Sequence, residues 1–467
     1  PFVDFINNNI AEIDIIIGKS FYFLILLLAL FLFFCSAVIN FFFKKKNIFE
    51  IFFIVTLVYW ILFKHNLLTL AIKRVFDVNS ELYQFSAELS LVILLMSSLA
   101  LSVLIYKNNF FVKRFVSIFV SLSLFLAVYQ IFDYKNEQVN TAYNEEDRIF
   151  YEDKLNNKKE NIYFFILDGM QPIEDFEKNF DLDLEEFLDF ANSKNYLYLN
   201  DTFNLYDNTS HGLSAIFYLN EIFDDNLKLK KSTSILYPTL LRKNNQSDLI
   251  NNLNNLEYNF KWLGNFFAYC PKFNLRYCLN KNDDVVIDTY LYINFFRQSP
   301  LIQIVINFGY LFNFDYNKHF FYGLNDGIGR LIEFHENNDE FKDTPTFYFI
   351  HHMSPHWPYI TDSDCSYKSF KGEKNYEGYR SAYLCVIKKI EQAINFFNKY
   401  DPNATIIFQS DHNWIMSRNK REKKKIFNLV KIDKDCSLDK NINYNNVNML
   451  RLVLTCITGN NPKYVEN

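Results

Sequence analysis

Short apolar runs of this chain end repeatedly on side chains that bind cations or move protons. Ile162–Leu167 (IYFFIL) leads into Asp168-Gly169, Thr346–Ile350 (TFYFI) into His351-His352, and Thr405–Phe408 (TIIF) into Gln409-Ser410-Asp411-His412. A carboxylate placed directly after a strand can ligate a divalent cation, and the glycine behind it lets the chain turn sharply. Asp411 and His412 offer an oxygen and an imidazole side by side, a donor mixture that suits zinc or manganese better than calcium. Taken singly, an Asp-Gly or Asp-His pair is also an ordinary turn.

Two further segments carry polar groups that could act with such a cation. Tyr206–Asn220 reads YDNTSHGLSAIFYLN, with N-cap types at Asp207, Asn208, Thr209 and Ser210 and apolar residues at Leu213, Ile216, Phe217 and Leu219. That pattern predicts a helix beginning at Thr209 or Ser210. At a helix start the backbone N–H groups and the dipole favour an anion, and a hydroxyl next to a cation ionises more readily into a nucleophile. An N-cap role alone would also explain either residue. Phe349–Tyr359 reads FIHHMSPHWPY, where His352 and His356 flank a proline-containing loop and could meet a substrate oxygen or protonate a leaving group. Of the chain's 8 histidines, His211, His351, His352, His356 and His412 all fall in these segments.

Elements of an α/β domain are needed to bring these groups together. Continuous β-rich runs without polar alternation suit strands of a mostly parallel sheet covered on both faces. Helical periodicity over Asp183–Asn192 and Tyr379–Asn398 lies between them. In such sheets ligands bind at the carboxyl ends of the strands, which is where each run delivers its Asp or His.

The front of the chain has a different character. Phe21–Phe43, Ile48–Phe63, Leu89–Tyr106 and Phe115–Phe132 are long, apolar and without helical amphipathicity, and they predict about four transmembrane helices within residues 1–133. Lys44, Lys45 and Lys46, and Lys107, Lys113 and Arg114, lie in alternate connecting loops, which puts those loops in the cytoplasm and everything after Phe132 outside. Lys73 and Arg74 in an outer loop count against this orientation. Residues 134–160 are charged and Asn-rich, as in a linker, and 161–467 would form the extracytoplasmic domain. Cys270, Cys278, Cys365, Cys385, Cys436 and Cys456 all lie on that side, where disulfides form, and sequence neighbours make the simplest pairs. A net charge of −5 with no long basic block argues against nucleic acid as a partner. The chain opens on Pro1 rather than Met, so a preceding piece is expected.

Taken in order, NIYFFILDGM (Asn161–Met170), YDNTSHGLSAIF (Tyr206–Phe217), HMSPHWPY (His352–Tyr359) and QSDHN (Gln409–Asn413) resemble the alkaline phosphatase/sulfatase superfamily. The preceding helices make the chain similar to its membrane-bound sulfatase-like branch of phosphoethanolamine and phosphoglycerol transferases. The resemblance implies an alkaline-phosphatase-like domain with one divalent cation, zinc or manganese before magnesium or calcium, held by Asp168, Thr209, Asp411 and His412. It implies Thr209 as covalent nucleophile and His352 and His356 as substrate contacts. It further implies an integral protein of the inner membrane, a phospholipid donor in the bilayer and an envelope glycan acceptor. Two departures stand out. Asp411-His412 is followed by Asn413 where the family has Gly, a change a left-handed residue would tolerate. Thr209 is followed by Ser-His-Gly-Leu, without the Pro and Arg of a formylglycine motif, which favours phosphoryl transfer over sulfate hydrolysis. The same fold acting as a phosphate- or sulfate-ester hydrolase, or as an inactive descendant binding glycans or anchoring a complex, are the alternatives.

Overall fold

A computed structural model describes residues 149–154, 159–224, 226–230, 236–242, 247–265, 279, 318, 322–337, 344–370, 375–414, 416, 422–432, 436, 438–439, 441–461 and 463–465, with 89, 92–93 and 96–97 near the front. The chain divides into two compact units, Pro1–Thr141 with Val286–Asp315, and Ala142–Val285 with Tyr316–Asn467. Nearly all described residues belong to the second. The four expected membrane helices lie almost wholly outside the described residues. Among those described, no helix is long and apolar enough to cross a membrane.

The second unit is built on a 6-stranded sheet in the order β2-β6-β5-β1-β4-β3. Its strands are β1 (Ile162–Leu167), β2 (Leu197–Tyr198), β3 (Asn259–Leu263), β4 (Thr346–His352), β5 (Thr405–Ser410) and β6 (Asn428–Lys431). β3, β4, β1 and β5 run parallel, while β6 runs against β5 and β2 against β6. The expected mostly parallel sheet is therefore present with one reversed strand near its edge. β1 and β4 are buried along their whole length, because helices cover both faces and no position is left for a polar alternation.

Strand residues go alternately to two cores. Ile162, Phe164 and Ile166 pack with α3 (Thr209–Tyr218), α4 (Asp248–Asn255) and α7 (Asn446–Thr458), through Leu213, Phe217, Leu253 and Leu450. Tyr163, Phe165 and Leu167 pack with α1 (Ile173–Phe180), α2 (Glu185–Ser193), α5 (Gly327–Asn337) and α6 (Tyr376–Tyr400), through Phe176, Ile328, Tyr379 and Ile390. Helices α3, α4, α6 and α7 each start on an Asn or Ser whose side-chain oxygen accepts a first-turn N–H: Asn208, Ser247, Asn375 and Asn445.

Two sequence-neighbour cysteine pairs are joined, Cys365–Cys385 and Cys436–Cys456, with Cα atoms 5.0 and 5.5 Å apart. Cys270–Cys278 lies outside the described residues. The end of the segment expected as a linker is tied to the domain. Tyr151 is buried, its N–H donates to Asn252 Oδ1 at 2.7 Å, and Lys154 N–H donates to the Thr458 carbonyl at 2.9 Å.

Phe165 sits at the centre of the second core, stacked on Phe408 at 4.6 Å and tilted against Phe397 at 6.1 Å. Phe165→Ala should lower the stability of this domain by about 3–5 kcal/mol. Denaturant unfolding followed by circular dichroism measures it, and a loss below about 1 kcal/mol would mean this face is not close-packed.

Candidate metal centre

The parallel ladder decides what meets at the carboxyl end of the sheet. In register, Ile166 lies beside His351 and Gln409, and Leu167 beside His352 and Ser410. The chain leaves β4 through α6 and enters β5 on the far side of β1, so the ends of β4, β1 and β5 stand together. Asp168 continues β1, and its N–H donates to the His352 carbonyl at 3.0 Å. By the two-residue period Asp168 belongs with the parity of Ile166, and therefore with His351 rather than His352.

Side-chain contacts follow that parity. His351 Nε2 lies 3.0 Å from Asp168 Oδ2, and both groups are buried. The ring of His352 is turned to the opposite face, where Ile328 N–H donates to its Nδ1 at 3.3 Å and Asp326 Oδ1 is 3.9 Å away. Burial pushes the His352 imidazole down to about 4 despite Asp326. The sequence motif suggests His352 as a substrate contact beside His356; its ring instead turns to the face opposite Asp168, and His351 is the histidine that meets Asp168. Strand periodicity was the available signal, since Asp168 and His351 share a face.

Asp168 is the shared member of two donor groups whose ligand atoms lie within 4.8 Å of one another: Asp168, His356 and His412, and Asp168, His351 and Asp411. His412 Nε2 is 3.4 Å from Asp168 Oδ1 and 3.7 Å from Asp411 Oδ2. Neither of those two buried oxygens receives a hydrogen bond. The other Asp411 oxygen, Oδ1, accepts from Gly169 N–H at 3.1 Å and His412 N–H at 3.0 Å, which fixes the carboxylate plane. Gly169 has φ of 67°, and a Cβ there would come 3.4 Å from His412 and 3.5 Å from His356, so both backbone and space call for glycine.

The donors fit a divalent cation on two counts. First, two buried carboxylate oxygens lack the partner that burial ordinarily demands. Second, the imidazole tautomers are set for it. His356 Nδ1–H donates to the Trp357 carbonyl at 2.6 Å and His412 Nδ1–H to the Asn413 carbonyl at 2.7 Å. A carbonyl only accepts, so each ring engages Nδ1 and turns Nε2 to the cluster, and His412 has the backbone bond that metal-ligating histidines characteristically make.

Charge is balanced within the cluster. Burial opposes ionisation of Asp168, but the charge of His356 and the imidazoles of His351 and His412 outweigh it and hold the carboxyl well below its usual range. Burial likewise opposes a charged His412, yet Asp411, Asp168 and the Asn413 carbonyl push its imidazole up to about 10.

Thr209 is the first residue of α3, half-buried, behind the Asn208 cap. One turn later Gly212 lies against the site's backbone, where a Cβ would sit 3.6 Å from the Asp411 carbonyl and 3.1 Å from Asn204 Nδ2. Asn204 Nδ2 in turn donates to that carbonyl at 2.6 Å. Asn413 does not adopt the left-handed backbone that asparagine tolerates. Its side chain instead accepts from Trp414 N–H at 2.6 Å and donates to the Glu422 carbonyl at 3.0 Å, which holds the loop after the site.

No protein-family model matches the chain, and no curated protein matches it either. Solved structures do resemble it at low identity. The zinc complex of the C-terminal periplasmic domain of EcEptC from Escherichia coli is 12% identical, with 67% of this chain and 85% of that one covered and a TM-score of 0.41. The integral membrane lipooligosaccharide phosphoethanolamine transferase A from Neisseria meningitidis is 12% identical, covering 80% and 70%, with a TM-score of 0.44. A putative sulfatase from Bacteroides fragilis is 11% identical, covering 64% and 75%, with a TM-score of 0.39.

Because Asp411, Asp168 and the Asn413 carbonyl favour the proton on His412, an ion that takes its Nε2 must displace that proton. Zinc binding at pH 7.5 should therefore release about one proton per ion and tighten as pH rises. Calorimetry in buffers of different ionisation enthalpy reads this directly, and a buffer-independent heat would refute the assignment of His412.

Proposed function

We propose that this chain is a membrane-anchored, metal-dependent enzyme of the sulfatase-like type. In this reading it transfers a phospho head group, phosphoethanolamine or phosphoglycerol, from a lipid to an envelope glycan on the outer face of the inner membrane. The observation that carries the reading is the convergence of Asp168, His351, His356, Asp411 and His412 at the carboxyl ends of adjacent parallel strands, with carboxylate oxygens there left without a hydrogen bond. The motif order seen in the sequence supports the reaction class, and the lack of a formylglycine motif around Thr209 favours an unmodified hydroxyl.

Asp168, Asp411, His412 and Thr209 would hold the cation, with His351 beside Asp168 as a further donor, and its chemistry would be to favour the ionised hydroxyl and offset charge on the phosphoryl oxygens. Thr209 Oγ attacks phosphorus, and the bond from phosphorus to the lipid alkoxide breaks. His356, which this ligand set leaves out, would in its doubly protonated form give that alkoxide the proton on Nε2. The first-turn N–H groups of α3 that the Asn208 cap leaves open would offer the phosphoryl oxygens the positive end of the helix dipole. An acceptor hydroxyl then attacks the phosphothreonine, loses its proton and restores the Thr209 hydroxyl. Water in place of the glycan would make the same site an ester hydrolase.

Thr209→Ala should reduce turnover of a head-group-labelled phospholipid by at least about a thousand-fold while zinc content falls less steeply. A phosphorylated Thr209 peptide recovered by mass spectrometry from quenched wild-type enzyme is the positive result. Unchanged turnover in the Ala variant would remove Thr209 from the mechanism and support the inactive, glycan-binding alternative. Label appearing only in water-soluble product, with a glycan acceptor present, would replace transfer by hydrolysis.

His356→Ala should slow the step that expels the lipid alkoxide by about a hundred-fold or more, and less so for donors with acidic leaving groups such as nitrophenol. Equal losses for both kinds of donor would exclude His356 as the acid.

A further inference from the structure

Tyr237 has no place in any sequence motif, yet it is bonded to both halves of the proposed centre. Its side chain is buried, and its hydroxyl lies 3.1 Å from His351 Nδ1. The other ring nitrogen of His351 is the one 3.0 Å from Asp168 Oδ2. The backbone of Tyr237 is held by the first turns of α3: Ser210 Oγ donates to its carbonyl at 3.1 Å, and its N–H donates to Ser214 Oγ at 2.7 Å. Ser214 Oγ itself donates to the Ser210 carbonyl at 2.5 Å, which closes the linkage. Ser210 is the residue after Thr209.

We propose that Tyr237 is a positioning residue. Its hydroxyl sets the ring of His351, and its backbone locks that histidine to the helix that presents Thr209. The chemistry suits the task. An ionised Asp168 only accepts, so with Asp168 alone His351 carries its proton on Nε2 and Nδ1 accepts from the tyrosine O–H. With Nε2 given to a cation, the neutral imidazole would carry its proton on Nδ1, and the same phenol oxygen would accept a hydrogen bond from it. A hydroxyl serves both states without moving, which a carboxylate or a carbonyl in that position would not. The tyrosine ring is also well fixed, parallel to Phe217 at 6.0 Å and edge-on to Phe349 at 6.1 Å. Tyr237→Phe therefore deletes the hydrogen bond and leaves the packing in place.

This inference rests on the metal reading of the centre, and the test separates the two. Zinc affinity is measured by chelator competition on the whole 467-residue chain in detergent, for wild type and for Asp411→Ala, Tyr237→Phe, His351→Gln and the double variant Tyr237→Phe/His351→Gln. Metal-free thermal unfolding by circular dichroism confirms that each is folded. Tyr237→Phe should weaken zinc about ten- to a hundred-fold, the range for partners of metal-ligating histidines. It should add nothing in the His351→Gln background, since the bond it removes is already gone. Ser214→Ala, which frees the Tyr237 backbone without touching its hydroxyl, should weaken zinc in the same direction by less, and it serves as the readout if Tyr237→Phe does not fold. A wild-type chain that binds zinc and loses it in Asp411→Ala, but with Tyr237→Phe and Ser214→Ala unchanged, overturns the proposal and leaves the centre standing. Equal losses from Tyr237→Phe in the wild-type and His351→Gln backgrounds overturn it as well, because the effect would not run through His351. A wild-type chain that binds no zinc, manganese or magnesium removes both readings together.

Discussion

An ionised carboxylate in a protein interior has to be compensated, and Asp168 is that carboxylate here. It is 2% exposed at the end of a fully buried strand, where an uncompensated charge would cost several kcal/mol and the group would protonate instead. The fold answers with imidazoles on adjoining elements: His351 from β4, His412 beyond β5 and His356 from the loop after β4. That answer is incomplete by design of the donor set, because Asp168 Oδ1 and Asp411 Oδ2 still lack hydrogen bonds. A buried site with excess acceptor capacity is what a cation requires. His412, one of the imidazoles that neutralise Asp168 in the metal-free chain, is also one of the groups proposed to hold the ion, so binding there exchanges a proton for the metal.

Parallel strand geometry is what makes this affordable in space. Evenly spaced ladder bonds hold β4, β1 and β5 at one height, so a residue just past the end of one strand meets its counterparts past the others. Helices on both faces then exclude water from the strands while leaving their carboxyl edge to the loops. The turn after Asp168 is itself clamped from α6, where the Tyr379 hydroxyl donates to the Gly169 carbonyl and accepts from Gln171 N–H, each at 3.0 Å. Sheet, turn and helix thus restrain the carboxylate from separate directions.

Much of this was legible in the residues. IYFFIL became β1 over the expected span, and the strand-end positions of Asp168, Asp411 and His412 followed from uninterrupted β-rich runs. Helix starts were readable because a cap is local chemistry, as with Asn208 before Thr209. The choice between His351 and His352 was harder. β4 extends through both histidines, so their faces depend on the register with β1, a long-range property absent from the local run. Asn413 could not be placed for a related reason: a residue type that tolerates positive φ need not use it, and its amide is instead engaged by Trp414 and Glu422. Tyr237 left no local trace at all, since its partners are separated from it by 27 and 114 positions in the chain.

That last distance bears on how the centre stays in register with the helix that carries Thr209. The proposed nucleophile and the proposed metal site lie on different elements and must be held to within a few tenths of an ångström for the hydroxyl to sit correctly. Packing alone restrains α3 along its apolar side, through Leu213, Ile216 and Phe217. It does little to stop the helix sliding along its own axis. The polar contacts supply that restraint at both flanks. Gly212 lets α3 approach the Asp411 backbone closely, with Asn204 bridging to the same carbonyl. On the other flank Ser210 and Ser214 hold Tyr237, which reaches His351 and through it Asp168. The first turn of α3 is therefore indexed to Asp411 on one side and to Asp168 on the other, and the position of Thr209 is set by the same carboxylates that would bind the cation.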